Sequence, residues 1–287
     1  MPDTADDMPG SDFEKGACVK TLRFTYHMEL RFSQPVTDHH FTFRCFPRSD
    51  DYQKISDLQM DIEPCDWRAE GVDSFGNRYV YGVNTASHSR LYIGVAGMAQ
   101  TGFSEGISAP DLTDFGIYLT DSELTKPGPA ILKLDRELTN EGALAGPDDL
   151  PQLLCHGIYR TMTYRPDVTH FGTRAEDSCA CKMGVCQDFS HILLSLLRLH
   201  GIPCRYVAGI LVGTGKSHAW VEAWQNGMWT GYDPTNDIAV TDSHISFARG
   251  RDCMDTLVNR GVFRGSASQK MYVTATAVEV GLESYFF

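Results

Sequence analysis

The dipeptide Asn226-Gly227 constrains this chain more than any other feature. It stands between two alternating runs, 217–224 and 228–233. An Asn-Gly pair takes up the two left-handed conformations of a type I′ turn, so it joins such runs as a two-residue hairpin. The turn then fixes the register, with Gln225 opposite Met228 and Trp220 opposite Asp233. His218 becomes the diagonal neighbour of Asp233, at a separation side chains can bridge. A slip of one residue would put the two on opposite faces. The spacing therefore predicts a His–Asp contact.

Upstream, 186–200 reads Cys-Gln-Asp-Phe-Ser-His-Ile-Leu-Leu-Ser-Leu-Leu-Arg-Leu-His. Phe189, Leu193, Leu196 and Leu197 form one helical stripe. Asp188 sits in the first turn, Gly201 just past the last, and Pro203 follows. Cys186 opens this helix, and Gly184 two positions earlier permits a close approach to it. The partial positive charge and free N–H groups of a helix start favour thiolate. If the hairpin packs across that end, His218 can pair with the thiolate as imidazolium and later protonate a leaving group. Asp233 would orient the imidazole, and the Cys186 N–H could receive a developing oxyanion. The segment 204–212 reads as a buried strand and 213–216 as a loop.

The first half is β-rich. Strands are expected at 20–34, with Leu22, Phe24 and Tyr26 on one face, and at 40–47, with Phe41, Phe43 and Cys45 on one face. Further strands are expected at 55–62, 78–83 and 91–95, with a turn at 73–77. This spacing suggests a sandwich or barrel-like domain. Pro-Gly-Pro at 127–129 and the polar run 140–149 mark looser chain, and 150–162 reads as a helix. The expected organisation is a mobile tail at 1–19, a β-rich N-terminal domain at 20–118 and a catalytic core at 119–287.

Charge narrows the partners. The chain has 25 Lys+Arg against 37 Asp+Glu, a net charge of −12, and no basic cluster. That argues against nucleic acid or an anionic membrane as main partner. No apolar run approaches the ~20 residues of a membrane span, and the acidic start lacks signal-peptide character. The 9 cysteines are an odd number, which without an export signal suggests free thiols in a reducing, cytoplasmic setting. Cys179, Cys181 and Cys186 with His170 or His218 would offer zinc ligands. However, Cys-x-Cys-x4-Cys is not a usual zinc spacing, and a closed site would consume the nucleophile. No metal or cofactor is expected. Oxidation could instead join Cys186 to Cys179 or Cys181.

The motifs Gly-Val-Cys-Gln-Asp-Phe-Ser-His (184–191), Leu-Arg-Leu-His-Gly-Ile-Pro-Cys-Arg-Tyr-Val-Ala-Gly (197–209), Ser-His-Ala-Trp-Val-Glu (217–222) and Asp-Pro-Thr-Asn (233–236) occur in that order. Together they resemble the bacterial transglutaminase-like cysteine peptidases. The likeness extends over roughly 20–280 and takes in 164–169, 250–255 and 261–265. It implies an α+β, papain-like core preceded by a β region, with Cys186 as nucleophile, His218 as base and Asp233 as its partner. The implied reaction is acyl transfer through a thioester, with a peptide or protein substrate. A peptidase or amidase is favoured. A protein-glutamine transglutaminase and a non-catalytic binding module are the alternatives. Gln187 and Tyr164 are candidate oxyanion donors and Trp220 a candidate cleft wall. Glu222, His191, Arg251 and Asp252 read as structural.

Overall fold

A computed structural model describes residues 19–104, 106–108, 115–141 and 150–281. The expected tail at 1–19 therefore falls, apart from Val19, outside the described residues, as does most of 140–149. The chain begins with strands β1 (Lys20–Phe43), β2 (Gln53–Glu63), β3 (Trp67–Val72), β4 (Arg78–Asn84) and β5 (His88–Thr101). A helical stretch follows: α1 (Gly116–Leu119), α2 (Pro129–Glu141), α3 (Leu150–Thr161), β6 (Thr163–Tyr164), α4 (Ala175–Cys181), β7 (Met183–Gly184) and α5 (Cys186–Leu199). The remainder is β8 (Cys204–Leu211), β9 (Gly213–Gly215), β10 (His218–Gln225), β11 (Met228–Asp233), β12 (Ile238–Ala239), β13 (His244–Gly250), β14 (Asn259–Arg264) and β15 (Gln269–Glu279).

The strand expected at 20–34 and the first four residues of the one expected at 40–47 form one strand of 24 residues, and 44–47 lie beyond its end. Its first part pairs with β5 and β15, its last part with β4 and β14, and its register shifts between Arg31 and His40. Pro35 lacks an N–H and Asp38 has φ 48°, so the ladder is interrupted there while the chain runs on. The expected apolar faces hold: Leu22, Phe24, Tyr26, Phe41, Phe43 and Cys45 are all buried.

One finding changes the expected organisation. Strands β9, β14 and β15 join the sheet formed by β1 to β5. Residues 213–215, 259–264 and 269–279, expected within the core at 119–287, complete the N-terminal sheet instead. The physical reason is the length of β1. A 24-residue strand carries hydrogen-bonding groups on both sides, and β15 satisfies along Leu22–Phe32 the side that β5 leaves open.

The second sheet has the order β12-β11-β10-β8-β13. Its β8 is buried on both faces, which fits a sequence that is apolar apart from Arg205 and the Tyr206 hydroxyl. One face receives α5 through Phe189, Leu193, Leu196 and Leu197, packed on Tyr206, Ala208, Ala219 and Val221. Each such leucine contributes about 1.5–3 kcal/mol by burial. From β13, Ile245 and Phe247 enter the core of the first sheet, where the Phe247 ring meets Tyr26 edge-on at 5.6 Å. Glu222 binds Arg205 at 2.6 Å and Arg249 at 3.0 Å, and Arg249 reaches Asp50 at 3.1 Å. This buried charge network ties the loop after β1 to the second sheet. Arg198 of α5 is structural too, donating to the carbonyls of Tyr118 and Arg251 and to the Thr125 hydroxyl. Among the described residues no helix is long and apolar enough to cross a membrane.

Candidate active site

The start of α5 is built by a short parallel ladder. Thr163 pairs with Met183 and Tyr164 with Gly184, while Arg165 N–H donates to the Gly184 carbonyl at 2.8 Å. Asp188 folds back over this turn. Its Oδ2 accepts from the Val185 N–H at 2.8 Å and from the Thr169 hydroxyl at 2.7 Å. The carboxylate thus satisfies one of the free donors of the helix start and ties the 167–173 loop to it. Cys186, the first residue of the helix, is held partly exposed at this tip.

The hairpin has the expected register. Gln225 pairs with Met228, Trp224 with Trp229, Glu222 with Gly231 and Val221 with Tyr232. Asn226 and Gly227 both have positive φ, 49° and 81°, as a type I′ turn requires. His218 Nε2 lies 2.7 Å from Asp233 Oδ2. The Cys186 thiol lies on the imidazole too, near enough to help raise the His218 pKa. With Nε2 committed to Asp233, Nδ1 is the nitrogen left for sulfur. The structure therefore brings Cys186, His218 and Asp233, from three separate elements, into one chain of contacts.

Asp233 is fully buried and heavily bonded. Oδ1 accepts from the Thr235 N–H at 3.0 Å and the Asn236 N–H at 3.3 Å. Oδ2 accepts from His218, from Asn236 Nδ2 at 2.7 Å, and from His244 Nε2 at 3.4 Å. Burial alone would favour its neutral form, but these donors hold its carboxyl below the usual range. Burial likewise pushes the His218 pKa down. The hydrogen bond to Asp233 and the nearby Cys186 sulfur, with their charges, outweigh it and raise that pKa to about 10.

The other thiols differ. Burial pushes Cys179 and Cys204 up to about 11 and Cys253 up to about 12, which leaves little thiolate at neutral pH. Cys65 and Cys181 point at backbone carbonyls. The eight described cysteines are free thiols, while Cys18 lies outside the described residues.

Gln187 donates to the Phe171 carbonyl at 3.2 Å, which turns its amide toward the loop. Tyr164 is half exposed, and the Cys186 sulfur is close enough to raise the pKa of its hydroxyl, after burial. Trp220, expected as a cleft wall, is only 1% exposed and packs edge-to-face on His244 at 5.1 Å. Glu222 and His191 are buried structural residues, the latter accepting the Cys253 N–H at 3.2 Å. Arg251 pairs with Asp255, not with Asp252.

Ligand atoms of His218, Asp233 and His244 lie within 4.8 Å of one another. The 2.7 Å between the first two is a hydrogen-bond length. It is shorter than the ~3.3 Å that separates ligands around a tetrahedral zinc with ~2.0 Å bonds, so the cluster has the geometry of a relay. His244 and Asn236 were not singled out from sequence as site residues. Asn236 had a usable signal, since an Asx side chain three residues past an Asp can bond back to it. His244 had none, because no local spacing links it to residue 233.

Two family models match the chain: residues 140–234 match the transglutaminase-like superfamily, and residues 22–100 match the bacterial transglutaminase-like N-terminal region. Together they take in more than half of it. The chain belongs to the transglutaminase-like superfamily. It is 28% identical to an uncharacterized protein of Mycobacterium leprae, over 88% of this chain and 96% of the relative. It is also 28% identical to an uncharacterized protein of Mycobacterium tuberculosis, over 84% of this chain and 86% of the relative. A crystal structure of a candidate cysteine protease from Cytophaga hutchinsonii superposes with a TM-score of 0.72 at 23% identity. That superposition covers 92% of this chain and 94% of the other. The fold is therefore the α+β, papain-like arrangement of this superfamily, with a β-rich N-terminal region.

Proposed function

We propose that this protein is a cysteine-dependent acyl-transfer enzyme, a peptidase or amidase working through a thioester on Cys186. The observation that carries this reading is the position of His218. Its imidazole meets a partly exposed thiol on one side and a buried carboxylate on the other. The Cys186 thiolate adds to a substrate carbonyl carbon, and the negative charge moves to oxygen beside the free N–H groups of α5. The C–N bond breaks, the amine takes its proton from the His218 imidazolium, and a thioester remains. Water then attacks with His218 as base, which releases the acid and restores the thiol.

Two exposed aromatic rings, Tyr164 and Phe171, stand on the segments that flank Cys186. They suit an extended peptide or protein with an apolar residue near the scissile bond.

The test is labelling by a cysteine-directed acyl probe in wild type, Cys186→Ala, His218→Ala and Asp233→Asn. Labelling should vanish in Cys186→Ala and fall in both others. Equal labelling of wild type and His218→Ala would end the proposal. Comparing peptide hydrolysis with amine incorporation into glutamine peptides then separates hydrolase from transglutaminase.

A further inference from the structure

We infer that His244 is a positioning residue of this site. As a neutral imidazole with its hydrogen on Nε2, it would donate to Asp233 and fix the carboxylate that orients His218. The inference rests on the acyl-transfer reading above and extends it by one residue.

His244 opens β13 and is fully buried. Its Nε2 lies 3.4 Å from Asp233 Oδ2, the same oxygen that receives His218 at 2.7 Å. Two imidazoles on one carboxylate oxygen cannot act alike. If both were cationic, they would repel each other and divide the charge of Asp233. The shorter contact marks His218 as the partner that gains from that charge. A neutral His244 still supplies a donor, steadies the oxygen and leaves the charge to His218.

The surroundings select the tautomer. His244 Nδ1 is buried with no hydrogen-bond partner, and so is Trp220 Nε1. The two rings touch edge-to-face. Indole nitrogen can only donate, and His244 Nδ1 can only accept when the hydrogen is on Nε2. A cationic His244, or one with its hydrogen on Nδ1, would instead add a second unpartnered buried donor to that of Trp220, a costly arrangement. The titratable side chains facing His244 are Asp233 on β11 and His218 on β10. Leu211 pairs with it on β8, and Tyr52 reaches only its carbonyl, at 3.1 Å. Among the described residues, Asp233 is the one carboxylate paired with the ring.

The experiment measures iodoacetamide alkylation of Cys186 against pH in wild type, His218→Ala, His244→Phe and His244→Gln. Wild type against His218→Ala decides the acyl-transfer reading. If these two profiles coincide, that reading fails and His244 has nothing to position. His244→Phe keeps the ring and removes the donor. Its neutral-pH rate should fall about tenfold, the scale on which outer hydrogen-bond partners act, with the profile displaced toward that of an ordinary thiol. His244→Gln returns a donor and should recover most of the rate. A wild-type profile in His244→Phe overturns the inference, and so does a His244→Gln as slow as His244→Phe. If His244→Phe does not fold, 15N-labelled histidine spectra of the wild-type protein decide. His244 must then carry its hydrogen on Nε2 and none on Nδ1 at neutral pH, and a hydrogen on Nδ1 overturns the inference.

Discussion

Asp188 occupies the space that a side chain at Gly184 would need. A Cβ placed on Gly184 would meet Asp188 Oδ2 at 2.5 Å, its Cβ at 2.6 Å and its Cγ at 2.8 Å. The carboxylate it would displace caps the N-terminus of α5 and holds Thr169. Gly184→Ala is therefore expected to destabilise the fold by about 1–3 kcal/mol and to slow Cys186 alkylation together with it. Urea unfolding and thiol labelling check both. Full retention of each would mean that Asp188 moves aside without consequence.

The Gln187 amide already serves the Phe171 carbonyl. Gln187→Ala should therefore slow acyl-probe labelling by less than about tenfold. A true oxyanion donor costs about 10²–10³-fold when removed, so a loss of that size would reinstate it. Tyr164→Phe, measured in parallel, reports on the Tyr164 hydroxyl, whose pKa is raised by burial and by the Cys186 sulfur.

The pKa of His218 is raised by folding from about 6.5 to about 10. Its charged form is favoured in the native state. Its contribution to stability is complete below about pH 6.5 and is lost as pH rises through about 10. The stability difference between wild type and His218→Ala should shrink between about pH 7 and pH 10.5, as read by denaturant melts. A difference that stays constant over this window would contradict the coupling to Asp233 and Cys186.

Glu222 faces two arginines in a buried interior. Glu222→Ala would leave Arg205 buried without its counter-charge and Arg249 with Asp50 alone, at a cost of about 3–5 kcal/mol. Glu222→Gln should cost less, because it keeps an acceptor. Thermal melts of the two variants distinguish this from a role in chemistry. A stable Glu222→Ala that has lost only thiol reactivity would place the residue in the site after all.

The local parts of this protein were legible in its sequence. The Asn226-Gly227 turn fixed the register that brings His218 to Asp233. The stripe of α5, with Gly201 and Pro203 behind it, marked the helix that carries Cys186. These features depend on backbone conformations within a few residues of one another, and side-chain chemistry states them directly. Helices α2 and α4 were missed, because Pro-Gly-Pro ahead of the first reads as loose chain and the second is only 7 residues long.

Tertiary structure decided what joins distant segments. Sequence alone could not assign β14 and β15 to the sheet of β1, because their partners lie more than two hundred positions away and antiparallel pairing leaves no mark on either strand. The same holds for His244, which meets Asp233 only because β13 enters the second sheet beside β8. Turns and caps are fixed by neighbours along the chain, whereas strand order and buried polar contacts are fixed by which surfaces exclude water together, and that choice is made only when the whole core closes.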